Sequence, residues 1–290
     1  MFGIVLIDKP LEYSSHDVVA KLRRKFNTKR IGHAGTLDPM ATGLLVVAVG
    51  PATRFLQYLP LEPKVYRATV RFGIATDSYD SEGEIVREGP VPMDLAAQIR
   101  DVVPGFLGLQ EQMPPMFSAV KVKGQPLYKY AREGIEIERK ARTIHIERMD
   151  VLAIGETTVE LEIECSGGTY VRTIANDLGE RIGCGAFLQS LVRTQVGQFK
   201  LEAASTLDGV TMDDMISLRT ALRPMPVRSL SDFETMRVRN GGSVPNLIDA
   251  KEGFVALAEP NGAVISVAAV MGNELKPECV IPTEALHASL

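Results

Sequence analysis

The stretch Arg30-Ile-Gly-His-Ala-Gly-Thr-Leu-Asp-Pro-Met-Ala-Thr-Gly-Leu-Leu45 is the densest signal in the chain. Gly32, Gly35 and Gly43 relieve steric limits on the backbone, and Pro39 biases Asp38 toward an extended conformation. Residues Ile31 to Thr42 read as a loop. The continuous apolar run Leu44 to Val49 follows, a buried strand closed by Gly50-Pro51. The loop therefore presents one carboxylate, Asp38, just ahead of a buried strand. His33 and Thr36 are its polar neighbours, and no second acid lies within the loop. A lone Asp there suits nucleophilic or proton-transfer work, although an Asp-Pro is also an ordinary turn pair. The stretch lacks GxxxxGK[ST] and so is not a phosphate-binding P-loop.

Working outward, Gly3 to Ile7 is a short apolar strand entering a turn at Asp8-Lys9-Pro10. Ser15 can cap a helix whose apolar positions include Val18, Val19, Leu22 and Phe26. Val65 to Gly73 alternates, with Tyr66, Ala68, Val70 and Phe72 on one face, as a half-buried strand does. Asp77 to Gly89 is polar and turn-rich. Ile144 to Ile154 and Thr158 to Glu164 read as strands, and Thr169 to Ile182 as a helix carrying Val171, Ile174, Leu178 and Ile182. Helices and strands mix without a repeating βαβ unit, so the fold class is α+β on a mixed or antiparallel sheet. After a Pro-rich stretch at Leu222 to Val227, Phe254 to Ala258 and Val264 to Val270 flank Asn261-Gly262, a hairpin signal. The expected division is a large domain over 1–226, with an insertion at about 77–130, and a small β-rich domain over 227–290.

Composition narrows the function. The chain has 290 residues, 45% hydrophobic and 23% charged, enough for one large and one small domain. Cys165, Cys184 and Cys279 are scattered, and the histidines show no HxxxH spacing, so neither a disulfide framework nor a metal is expected. The apolar N-terminus is too short for a signal sequence, and no run reaches the roughly 18 apolar residues of a membrane span. A cytosolic location is expected. The net charge of -4 hides local clusters. Lys21, Arg23, Arg24, Lys25, Lys29 and Arg30 lie close together with no acid between Asp17 and Asp38. Lys121, Lys123, Lys129, Arg132, Arg139, Lys140 and Arg142 form a looser basic stretch.

GHAGTLDPMATGLL resembles the catalytic motif of the TruB-type tRNA pseudouridine synthases. Further stretches match in family order: DKP at Asp8, SSHDVV from Ser14, KVYRATVRFGIATDSYDSEG from Lys64, and QMPPMFSAVKVKGQPLYKYAREG from Gln112. ECSGGTYVRTIANDLG from Glu164 and LVRTQVGQF from Leu191 complete the set. The resemblance is dense from Gly3 to Phe199 and weaker beyond. It implies cleavage of the N-glycosidic bond of uridine 55 in the tRNA T-loop, rotation of the base and rejoining through carbon 5. It also implies that no cofactor or metal is used.

The resemblance assigns roles position by position. Asp38 matches the essential aspartate, Tyr66 the tyrosine that stacks on the target base, and Arg172 the arginine that pairs with the aspartate. Tyr170 matches a second active-site tyrosine, and Leu191 an apolar residue lining the base pocket. His33 resembles the histidine that fills space left by extruded T-loop bases. Lys9 and Pro10 match a motif read as scaffold. Lys121 and Lys123, with the basic helix from Lys21, are expected phosphate contacts. The C-terminal piece, with NGG at Asn240 and KPECV at Lys276, resembles the small PUA-like RNA-binding domain of many bacterial members. One position departs from the family: Glu12 stands in KPLEYSS where a glycine is usual.

Four readings compete. A stand-alone enzyme acting on the T-arm as a monomer, with no obligatory protein partner, is favoured by the insertion. An RNA-guided relative would need partner proteins and a guide. A non-catalytic RNA-binding module would not require the set Asp38, Tyr66 and Arg172. An unrelated aspartyl hydrolase would need a second acid–base motif.

Overall fold

The computed structural model describes residues 2–122 and 124–282. The chain divides into two compact units, one of residues 1–38, 44–61 and 201–290, the other of residues 39–43 and 62–200.

In the first unit the strand Gly3–Lys9 runs parallel to Ser205–Thr206. The strand Ile31–Ala34 lies antiparallel to the stretch Val46–Val49. The helix Ser15–Lys25 packs on this layer through Val18, Val19 and Leu22, which join Val5, Ile7, Phe26, Ile31, Leu45, Val47 and Val49 in one apolar cluster. Burying each such side chain stabilises the fold by about 1.5–3 kcal/mol. Two sequence expectations change here. Ile31–Ala34 is a strand rather than loop, because Ile31 is a core residue and the four residues pair with the buried apolar run. The helix cap is Ser14, not Ser15: the Asp17 N–H donates to Ser14 Oγ, and the Ser14 N–H donates back to the Asp17 carboxylate.

The same unit holds a five-stranded sheet from Val227–Ser229, Val244–Pro245, Phe254–Ala258, Val264–Met271 and Glu274–Val280. The expected hairpin at Asn261-Gly262 joins Phe254–Ala258 to Val264–Met271 as antiparallel neighbours. Leu230, Val238, Val255, Leu257, Ile265 and Leu275 form its core.

The second unit is built on antiparallel neighbours in the order Ala186–Val196, Lys64–Phe72, Thr158–Cys165, Arg142–Ile154 and Gly108–Gln112. Residues Ala41–Gly43 run parallel to Leu191–Arg193, so the pairing is mixed, as the α+β reading expects. Gly43 has φ +95°, and a Cβ there would lie 2.5 Å from the Arg193 carbonyl oxygen, so only glycine fits this close approach. The helix Val171–Ile182 lies against the Ala186–Val196 strand. Gly179 permits the contact, since a Cβ on it would meet the Ala186 nitrogen at 2.1 Å.

Within the span 77–130, Gly108–Gln112 is a strand of the sheet. Residues 113–141 form an excursion that leaves after Gln112 and returns at Arg142, its cross-strand partner. The excursion contains the short strands Lys121–Val122 and Gln125–Pro126 and the helix Leu127–Arg132.

Candidate active site

Asp38 is half-buried and directly follows Leu37, whose backbone is held on both sides by one hydroxyl. Ser15 Oγ accepts from the Leu37 N–H at 2.9 Å and donates to the Leu37 carbonyl at 3.2 Å. Ser15 is itself buried in the first turn of its helix. The carboxylate loop is thus pinned one residue ahead of Asp38 by a helix 22 positions away in sequence. His33 lies on the Ile31–Ala34 strand with its ring edge-on to His16, centroids 5.5 Å apart. Lys9 is fully buried, and its ammonium donates to the carbonyls of Pro10 and Tyr13, fastening the turn before the helix.

Tyr66 is buried on the central Lys64–Phe72 strand, directly opposite Arg193. Leu191 lies opposite Ala68 on one side and Ala41 on the other. Alternation places Tyr66, Ala68, Leu191 and Arg193 on one face of the sheet, with Tyr66 and Leu191 diagonal neighbours. Arg193 is fully buried. Burial, and then the Arg193 charge, pushes the Lys64 ammonium below its usual range, with Glu62 opposing.

Tyr170 is the N-cap residue of the helix Val171–Ile182, and Arg172 is the helix's second residue. The guanidinium of Arg172 lies 5.9 Å from the Tyr170 ring centroid. Its Nη1 is 3.3 Å from Asp80 Oδ2, in an ion pair whose two side chains are only 6% and 4% exposed. Asp80 is fixed in turn: Ser78 Oγ donates to its Oδ1, as does the Glu82 N–H at 3.1 Å, and Thr76 Oγ1 donates to its carbonyl at 2.8 Å. Breaking one side of a buried pair of this kind costs about 3–5 kcal/mol. Gln112 holds the Tyr170 backbone by two hydrogen bonds, at 3.0 and 2.8 Å.

Lys121 is exposed and opens the short hairpin of the excursion. It lines a cleft of about 440 Å³ with Val120, Leu127, Arg139, Lys140 and Arg142. Lys123 lies outside the described residues. In the N-terminal basic helix, Lys21 pairs with Asp208 at 2.6 Å, and Lys25 donates to the Asp208 carbonyl, whereas Arg24 is exposed. Among the described residues no three His, Cys, Asp or Glu side chains cluster as metal ligands.

Sequence reasoning passed over Ser15 as a clamp, Asp80, Gln112 and Arg193. Asp80 carried a signal, since it stands in the matched stretch ending TDSYDSEG. Its partner is 92 residues away, and no local pattern announces such a pair.

Residues 23–171 match the model of the TruB family pseudouridylate synthase (N terminal domain). Residues 172–227 match that of the tRNA pseudouridylate synthase B C-terminal domain. The tRNA pseudouridine synthase B of Opitutus terrae is 49% identical over 223 residues, which is 77% of this chain and 92% of the relative. That of Syntrophotalea carbinolica is 42% identical over 277 residues, 91% of this chain and 90% of the relative. Among solved structures, a chain in a Cbf5-Nop10-Gar1 complex matches with a TM-score of 0.74 at 27% identity, covering 98% of this chain and 86% of that one. A chain in an archaeal box H/ACA sRNP Nop10-Cbf5 complex matches with a TM-score of 0.70 at 25% identity, covering 97% and 86%. The two family matches meet between Val171 and Arg172, inside the helix that carries the arginine, and the first of them contains the whole Asp38 loop. By these matches the chain belongs to the TruB family of pseudouridylate synthases.

Proposed function

We propose that the protein isomerises uridine 55 in the T-loop of tRNA to pseudouridine, with Asp38 as its catalytic carboxylate. Family membership joined to one local observation carries this reading. Asp38 is the single carboxylate between Asp17 and Glu62, and the residue before it is clamped by Ser15. The reaction breaks the bond from the ribose to N1 of the base and forms one to C5. The C5 proton leaves and N1 gains one, so the change is an isomerisation. A positioned carboxylate acting on the ribose supplies the chemistry. The reacting atoms are hidden in the folded T-loop, so the base must be extruded before reaction. The reading gives Tyr66 the stacking face for that base, Leu191 the apolar wall beside it and Arg172 the fixed cation. His33 takes the space the extruded bases leave. Lys121 and the basic cleft of the excursion contact phosphate.

The stand-alone form is favoured because the relatives at 49% and 42% identity are named as tRNA enzymes. The chains in Cbf5 complexes stand at 27% and 25%. The enzyme acts in the cytosol as a monomer, without a cofactor or guide, and the C-terminal five-stranded sheet grips RNA as a PUA-like module. Among the described residues no helix is long and apolar enough to cross a membrane.

The test is an unmodified tRNA transcript incubated with purified protein alone, pseudouridine being mapped by carbodiimide labelling. Pseudouridine at position 55 is expected with the native chain. None is expected with Asp38→Asn, a variant that retains tRNA binding. Turnover by Asp38→Asn removes Asp38 from its role, and binding without turnover by the native chain points to a guided enzyme.

A further inference from the structure

Gln112 ends the Gly108–Gln112 strand and is 5% exposed. Its side-chain amide commits both polar atoms to one backbone residue. Nε2 donates to the Tyr170 carbonyl at 3.0 Å, and the Tyr170 N–H donates to Oε1 at 2.8 Å. The pattern imitates the two bonds by which facing strand residues pair. Tyr170 makes no side-chain capping bond to its helix, and the Gln112 amide takes the N–H of this N-cap residue itself, the group that the third helical residue of a capping box usually binds. Two residues on, the Arg172 guanidinium lies against the Tyr170 ring and pairs with Asp80. Gln112 is also the last residue before the 113–141 excursion, which returns at its strand partner Arg142. The excursion and the start of the arginine-bearing helix therefore share one anchor.

We propose that Gln112 is a positioning residue for the isomerisation. Its amide fixes the Tyr170 backbone and thereby the place of the Arg172 guanidinium. The inference rests on the functional reading above, in which Arg172 serves the reaction. It makes a specific demand on chemistry: the side chain must donate to a carbonyl and accept from an N–H at the same residue. An amide does this at every pH. A carboxyl group of the same shape does it only when protonated, because a carboxylate accepts and cannot donate. Burial raises the pKa of such a carboxyl, whereas the charge of its strand partner Arg142, the Arg172 charge and the Tyr170 N–H lower it, and the pH profile reads the balance.

The experiment compares the native chain, Gln112→Glu, Gln112→Leu and Arg172→Met on a tRNA transcript. kcat and KM are measured against pH, with tRNA binding and circular dichroism as controls for folding. At about pH 8 the kcat of Gln112→Glu falls by about tenfold to a hundredfold, the scale of one buried polar group left unpaired, while KM stays near native. Its kcat relative to the native chain climbs toward unity as pH falls through the pKa of the new carboxyl and it takes up its proton. Gln112→Leu stays low throughout. A role limited to holding the fold together would lower folded content or binding and would not restore kcat with acid. A Gln112→Glu curve parallel to the native one, or a fully active Gln112→Leu, overturns the proposal while leaving the functional reading intact. A native chain without pseudouridine activity, or an Arg172→Met variant with native kcat, overturns the functional reading or the role of Arg172, and this inference with it.

Discussion

Glu12 shows how a single residue can keep a turn that its type resists. Its φ is 67°, in the left-handed region where side chains other than glycine are strained. The residue is a glutamate, yet the backbone keeps a conformation that suits glycine. Glu12 is exposed, so no packing is lost on replacing it. Glu12→Gly should raise stability by up to about 1 kcal/mol, the relief of strain exceeding the extra entropy of an unfolded glycine. Urea unfolding measures this, and a loss of stability would mean that the glutamate side chain has a stabilising contact. Ser15 works in the opposite sense, since its hydroxyl is buried and fully used on Leu37. Ser15→Ala leaves the Leu37 N–H and carbonyl without that partner and should cost about 1–3 kcal/mol. It should also lower kcat, because Asp38 is the next residue. Unchanged turnover with reduced stability would separate the clamp from the chemistry. The Asp38 loop was legible because its glycines, its proline and its lone acid are neighbours in sequence. Asp80 and Gln112 were not, since each takes its meaning from a partner 92 or 58 residues away.

Among elements, strands with regular alternation declared themselves: Lys64–Phe72 and Thr158–Cys165 lie where the period of two placed them. Ile31–Ala34 did not, because four residues with a glycine among them carry too little periodicity, and pairing with the buried Leu44–Val49 run decides their state. The helix Asp232–Arg239 in the C-terminal sheet unit shows how a helix start adds to stability. Ser231 and Glu234 form a capping box, and Glu234 also pairs with the buried Arg228. The Arg228 hydrogen bond, with help from the Ser231 N–H, holds the Glu234 carboxyl below its usual range. A depressed carboxylate stabilises the fold while it is ionised. Its contribution is therefore whole above the unfolded value of about 4.3 and is lost as pH falls through the lower folded value. Glu234→Gln should cost about 1–2 kcal/mol near neutrality. The gap between native and variant melting temperatures should close as pH falls below about 4. A gap independent of pH would mean that the box acts by shape and not by charge.

For the molecule as a whole, charge sign and RNA affinity point in different directions. A chain with net charge -4 is repelled by tRNA at long range, so attraction must come from local clusters. The structure separates the basic residues into two kinds. Lys21 pairs with the Asp208 carboxylate, whereas Arg24, Lys25 and Lys121 are exposed. A side chain whose charge is already offset by an acid displaces few counterions from the RNA when it meets phosphate. An exposed one contributes a slope of about 0.7–0.9 to the fall of log K with log salt for each phosphate it neutralises. Native tRNA binding should therefore weaken steeply with salt. Lys121→Ala and Arg24→Ala should each lower the slope by about one such unit. Lys21→Ala should lower it by less, since Asp208 already offsets the Lys21 charge. Asp38→Asn should leave the slope unchanged, because the proposed function gives that carboxylate to chemistry and not to phosphate. Filter binding between about 50 and 200 mM salt resolves these differences. A flat profile in the native chain would rule out a phosphate-reading groove, and an equal loss from Lys21→Ala and Arg24→Ala would mean that the Asp208 pair opens when RNA binds.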